Sequence, residues 1–265
     1  MRLDGKRALV LGVANDHSIA WGIAQALREA GAELCLTYQG EAFGRRARPL
    51  AERLGCDFAV DADVTDDASL DRLFGAIGER WGGLDVVIHA VAFSDKAELT
   101  GRFSNTTRRN FAHSLDVSCY SLIELARRAA PMMPGPEDGG GTILTLTFEG
   151  SRRVMPHYNV MGVAKAALEA SVRYLAADLG PGGVRVNAIS PGPMKTLAGS
   201  AIGGARRTFR HAESNAPMRR NATLGAIGGT ALWLCSEAGA STTGEIVHVD
   251  GGFHVMGMPD PANLV

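Results

Sequence analysis

Short, nearly unbroken apolar runs alternate along this chain with longer amphipathic stretches, and that alternation limits the folds open to it. The runs are strand length: Arg7–Val13, Glu33–Thr37, Asp57–Val60, Leu84–Ala90, Gly141–Leu146, Val184–Ser190 and Glu245–Val249. Helical patterns lie between them, near 18–30, 41–54, 67–80, 106–130, 156–179 and 223–236. A run such as Asp85-Val86-Val87-Ile88 has no polar face, so both sides of its sheet must be covered. Alternating β and α segments of this kind predict an α/β fold, a Rossmann-type doubly wound parallel sheet of about seven strands. The 265 residues suit a single dinucleotide-binding and catalytic domain, and no repeat or linker divides them.

Composition removes several classes of function. A net charge of -1 gives no reason to expect nucleic acid or a membrane surface as partner. The apolar runs are too short to span a membrane, and no signal peptide is evident. Cys35, Cys56, Cys119 and Cys235 are widely spaced and form neither a zinc set nor a redox pair, so no metal is expected and a reducing cytoplasm is the default compartment. No serine lies in a G-x-S-x-G elbow, which disfavours a hydrolase. The Pro/Gly-rich stretch 131–141 reads as a surface loop. Pro191-Gly192-Pro193 opens a small-residue stretch after the sixth strand, where such folds place substrate-covering segments, here about 191–215.

The first strand ends at Gly12, and a helix follows from Ser18. Gly12 permits a tight turn, Ser18 is suited to cap the helix, and Gly22 allows close approach to the sheet. The free N–H groups and dipole of that helix then face a pyrophosphate. The spacing Gly12-x5-Ser18-x3-Gly22 is not GxGxxG, and an ordinary polar turn is the competing reading. The second strand ends at Gln39, where an adenosine ribose is read in such folds. A neutral residue there leans toward NADH, while Arg45 and Arg46 keep NADPH open. Asp63 and Val64 follow the third strand at the expected adenine edge.

Tyr158 and Lys165 are seven residues apart, which on a helix sets them about 20° from a common face. A lysine ammonium there can hold ribose hydroxyls and favour ionisation of the phenol, which ordinarily titrates near 10. His89 and His157 read as structural. Met155, Met161 and Met194 fit either core or an acyl-chain slot.

These residues resemble a known family. Gly12-Val13-Ala14…Ser18-Ile19-Ala20, Tyr158-x6-Lys165 and Val247-His248-Val249-Asp250-Gly251-Gly252 are similar to short-chain dehydrogenase/reductases. Tyr158 to Ala166, Val184 to Ser190, and Gly192-Pro193-Met194-Lys195-Thr196-Leu197-Ala198 resemble their divergent branch, the bacterial enoyl-acyl-carrier-protein reductases, from Gly5 to about Phe253.

The resemblance implies NADH-dependent reduction of the trans-2 double bond of enoyl-acyl-carrier-protein thioesters in type II fatty-acid synthesis. It places Gly12, Ala14, Ser18 and Ile19 at the pyrophosphate, and Gln39 with Asp63 and Val64 at the adenosine. It puts Ala92 in the cofactor cleft, Lys165 at the nicotinamide ribose, and Met194 and Thr196 at the nicotinamide and pyrophosphate. It makes Tyr158 the proton donor or oxyanion stabiliser, in a substrate pocket with Phe148 and Met161. It also implies a homotetramer, and basic residues Arg206, Arg207 and Arg210 that meet the acidic carrier protein; a solvated helix face is the alternative for these arginines.

One departure bears on chemistry. The family commonly has a second tyrosine ten residues before the first, and here Phe148 keeps the ring without the hydroxyl. Two other functions therefore stay open: a reductase of the same fold acting on a different enone or carbonyl, and a cofactor-binding regulatory protein.

Overall fold

A computed structural model describes residues 1–196, 199 and 203–263. Seven strands form one parallel sheet in the order β3-β2-β1-β4-β5-β6-β7. They are β1 (Arg7–Leu11), β2 (Glu33–Tyr38), β3 (Ala59–Asp61), β4 (Val86–His89), β5 (Gly141–Leu146), β6 (Val184–Pro191) and β7 (Ile246–Val249). The helices are α1 (Ile19–Glu29), α2 (Gly40–Arg53), α3 (Asp67–Trp81), α4 (Arg108–Leu115), α5 (Ser121–Ala129), α6 (Val160–Leu179), α7 (Ala205–Asn215) and α8 (Leu224–Cys235). No helix among the described residues is long and apolar enough to cross a membrane.

The period-two alternation of β1 separates two core layers. Ala8 and Val10 point to the layer formed with Ile23 and Leu27 of α1 and Ile227 and Leu234 of α8. Leu9 and Leu11 point to the layer formed with Leu73 of α3, Leu125 of α5 and Leu168 of α6. Both faces of the central strands are thus covered, as their unbroken apolar sequence requires. β1 pairs with β2 on one side and β4 on the other, so the chain changes direction there. The crevice beyond the carboxyl ends of these two strands is where an open α/β sheet binds its ligand.

The fold differs from the sequence expectations in three places. The helix expected over 156–179 starts at Val160, so Tyr158 lies in the turn before it. The helix expected over 106–130 is broken by a π-helical turn at Asp116–Tyr120. Ser121 explains part of that break, because its hydroxyl donates to the Val117 carbonyl at 2.7 Å and competes with the regular ladder. Gly22 makes its close approach to α8 rather than to the sheet: a Cβ there would lie 2.8 Å from Leu224 Cβ. α7 is the helix on which Arg206, Arg207 and Arg210 lie, as one of their two readings had it.

Candidate active site

At the end of β1, Gly12 has φ of 100°, and a Cβ on it would lie 2.1 Å from the Ala90 carbonyl oxygen. No side chain fits there, and the β1 and β4 loops touch before they part. Ser18 takes the N-cap position of α1 in an extended conformation, but its hydroxyl does not cap the helix. It donates instead to the Asn15 carbonyl at 2.6 Å. This corrects the capping role expected for Ser18. It also leaves the first N–H groups of α1, at Ile19 and beyond, without a side-chain partner and without an acidic residue in the first turn. Such a helix end favours an anion. Ala14 lies in the loop between Gly12 and that end, half-buried.

Across the crevice, Gln39 Nε2 donates to Asp63 Oδ2 at 2.8 Å. Burial works to raise the Asp63 carboxyl, but the Thr65 N–H and hydroxyl, the Gln39 amide and the charge of His113 outweigh it, and the net shift is downward. A carboxylate is therefore held ionised beside the expected ribose position, which opposes a 2′-phosphate. Arg45 and Arg46 are exposed on α2. Val64 is half-buried next to Asp63, and Ala92 is exposed just past the end of β4. An open cleft of about 420 Å³ adjoins this end, lined by Phe93, Asp95, Glu98, Arg109, Asn110 and His113. Sequence reading did not find it, because its residues come from an irregular segment and α4 with no motif between them.

Lys165 is buried on α6, and its Nζ donates to the Leu146 carbonyl at 2.7 Å. Burial pulls its pKa down to about 8, partly offset by Cys119 and Glu169. Tyr158 is also buried, and burial together with the Glu169 charge pushes its phenol well above the usual range. The sequence-based expectation was that Lys165 would favour ionisation. The structure corrects it: desolvation dominates, so the hydroxyl stays protonated and can donate.

The backbone holds Tyr158 between two residues of positive φ, His157 at 66° and Asn159 at 43°. The Asn159 amide anchors this turn by donating to the Glu98 carbonyl at 2.9 Å. His157 is thus on a turn, not on a helix, and its ring lies where a Cβ on Gly203 would be 3.1 Å away.

Tyr158 and Met161 form one apolar cluster with Leu99, and Phe148 and Met155 pack against it. The Phe148 and Tyr158 rings meet edge to face, 5.1 Å apart at 69°. Leu99 was not foreseen, since an isolated leucine in an irregular segment carries no sequence signal. Met194 packs on the α1/α8 core layer, and the Thr196 hydroxyl accepts from the Gly199 N–H at 3.0 Å. Leu197 and Ala198, in the same motif, lie outside the described residues, as do Ser200, Ala201 and Ile202 of the expected cover.

His89 is enclosed, with Nδ1 2.7 Å from Thr145 Oγ1 and Nε2 2.8 Å from Ser121 Oγ. Burial and the Lys165 charge pull it down to about 3, so it is neutral and structural. Arg206, Arg207 and Arg210 are exposed on α7. Arg153 is instead engaged, with Nε 3.2 Å from Glu149 Oε1.

A nicotinamide dinucleotide fits what these residues offer: a side-chain-free turn at Gly12, an open helix end, an ionised Asp63 hydrogen-bonded to Gln39, and a lysine with protons to spare. The sequence profile described as Enoyl-(Acyl carrier protein) reductase matches residues 12–254. The enoyl-[acyl-carrier-protein] reductase [NADH] 1 of Rhizobium meliloti (strain 1021) is 56% identical over 256 residues, covering 97% of this chain and 93% of that protein. The corresponding [NADH] enzyme of Rickettsia bellii is 51% identical, with 96% of each chain covered. The crystal structure of the Anaplasma phagocytophilum reductase in complex with NAD superposes with a TM-score of 0.92 at 51% identity, covering 97% of this chain and 95% of that one. By this sequence match and this shared fold, the chain belongs to the enoyl-(acyl carrier protein) reductase family.

Proposed function

We propose that this protein reduces the trans-2 double bond of enoyl-acyl-carrier-protein thioesters with NADH, in type II fatty-acid synthesis. The observation that carries the reading is a buried phenol, Tyr158, packed edge to face on Phe148 just past the carboxyl end of β5, with a buried lysine, Lys165, hydrogen-bonded to the last residue of that strand. A bound NADH supplies hydride to the β-carbon of the substrate. Negative charge then builds on the thioester oxygen, the Tyr158 hydroxyl donates a hydrogen bond to it, and a proton taken up from solvent at the α-carbon completes the reduction. In a dry site such a preorganised donor is worth about 10²–10³-fold in rate.

Gly12, Ala14, Ser18 and Ile19 hold the pyrophosphate, and Gln39, Asp63 and Val64 the adenosine. Lys165 uses one N–H on Leu146 and has its others for the nicotinamide ribose. Ala92, Met194 and Thr196 border the nicotinamide. Phe148, Tyr158 and Met161 line the acyl pocket, and Phe148 supplies a wall without a second hydroxyl. The segment 191–215 covers the substrate. The single dinucleotide-binding and catalytic domain needs no further unit for this chemistry. The four free, buried cysteines suit a reducing cytoplasm.

Arg206, Arg207 and Arg210 form an exposed basic face on α7, within that cover, suited to an acidic carrier protein. The exposed apolar residues Phe111, Tyr120, Val163 and Tyr174 on the outer helices suit subunit contacts in a homotetramer.

NADH oxidation at 340 nm with a trans-2-enoyl thioester tests the activity. We expect turnover in the parent, a loss of about 10²-fold in Tyr158→Phe, and little change in Phe148→Tyr. An inactive parent with an active Phe148→Tyr would assign another substrate. Reversing Arg206, Arg207 and Arg210 to glutamate should raise KM for the carrier-protein substrate and leave a short thioester unaffected; equal effects on both would remove the docking role. NADH affinity should weaken above about pH 8 as Lys165 loses its third proton, and Lys165→Met should bind weakly without that dependence. An affinity constant from pH 6.5 to 9.5 would contradict the lysine's role. Light scattering at micromolar concentration should give a tetramer mass, and a monomer mass would refute the assembly.

A further inference from the structure

Beyond its charge, which raises Tyr158 and Lys165, Glu169 has no part in the chemistry above, yet it is a buried carboxylate on α6, one turn beyond Lys165. A carboxylate out of water is costly unless donors satisfy it. The Thr147 hydroxyl donates to Glu169 Oε1 at 2.7 Å, and the Ser151 hydroxyl donates to the same oxygen. These two donors bracket Phe148, Glu149 and Gly150.

That short loop is the seat of the Tyr158 ring. Phe148 meets the ring edge to face. A Cβ on Gly150 would lie 2.4 Å from Tyr158 Cδ1, so the Gly150 backbone runs directly against the phenol. Both sides of the seat are therefore tied to one carboxylate on the helix that also carries Lys165. Lys165 itself is held differently, by the carbonyl of Leu146, which is fixed within the sheet by pairing with Ile189. The staple can fail while the lysine stays in place.

We propose that Glu169 is a positioning residue for the hydrogen-bond donor: its carboxylate staples both ends of the loop 147–151 to α6, and the stapled loop aims the Tyr158 hydroxyl. The inference rests on the reading of Tyr158 as donor. Misplacing a reacting group by a fraction of its hydrogen-bond reach slows chemistry without loosening cofactor binding.

The test compares Glu169→Ala, Glu169→Gln, Tyr158→Phe and the double variant Tyr158→Phe/Glu169→Ala by kcat, KM for the enoyl thioester and NADH affinity. Glu169→Ala should lower kcat by about tenfold to a hundredfold with NADH affinity unchanged. Glu169→Gln keeps an acceptor oxygen for both hydroxyls and should restore most of the rate. The double variant should be no slower than Tyr158→Phe alone, because one residue acts through the other. Unchanged kcat in Glu169→Ala, equal losses in Ala and Gln, or losses that multiply in the double variant would each overturn the proposal. If Glu169→Ala does not fold, Thr147→Val/Ser151→Ala breaks the staple without altering α6 and is judged by the same criteria. A Tyr158→Phe enzyme as fast as the parent would defeat the donor reading and this inference together; a slow Tyr158→Phe beside fast staple variants would defeat this inference alone.

Discussion

The hydrogen bond from Lys165 Nζ to the Leu146 carbonyl joins the helix that carries the chemistry to the end of a central strand. It is buried, so its loss would leave a charged amine and a carbonyl without partners, at a cost of about 1–3 kcal/mol or more. Around it the remaining parts fall into place. β5 ends at Leu146, the loop bearing Phe148 leaves from there, and α6 returns beneath it with Tyr158 in the turn just before. The carboxyl ends of β1 and β4 open the crevice alongside, and Gly12 sets how closely their loops approach.

Desolvation tunes this site more than charge pairing does. It lowers Lys165, raises Tyr158 and keeps His89 neutral. The result is a phenol that donates a hydrogen bond rather than a phenolate that accepts one. That state suits an oxygen that gains negative charge during reaction. Asp63 is the exception: hydrogen bonds overcome its burial and keep it ionised, which favours a ribose hydroxyl over a phosphate.

Much of the fold was legible because burial on both faces leaves an unambiguous pattern in the strands, and β5 matches its expected limits, Gly141–Leu146. The grouping of Phe148, Tyr158 and Met161 came from the family resemblance rather than from spacing, and the three side chains do pack together. What sequence hid were effects of tertiary contact. Tyr158 sits outside the helix because His157 and Asn159 take positive φ, which asparagine tolerates but does not announce. Ser18 spends its hydroxyl on Asn15, and only the folded loop shows that choice. The break at Asp116–Tyr120 depends on serines meeting distant partners: Ser121 reaches His89, and Ser118 Oγ accepts from the Phe93 N–H at 3.0 Å. Glu169 looks like an ordinary helix residue until Thr147 and Ser151 are seen to converge on it.

The central claim is that the Tyr158 hydroxyl, alone, meets the oxygen that becomes negative. A crystal structure with the oxidised cofactor and an enoyl thioester tests it most directly. The account requires the thioester oxygen about 3 Å from Tyr158 Oη, with the Phe148 ring against the acyl chain and no other side-chain donor on that oxygen. A thioester oxygen held by a different donor, with the Tyr158 hydroxyl turned away, would contradict it.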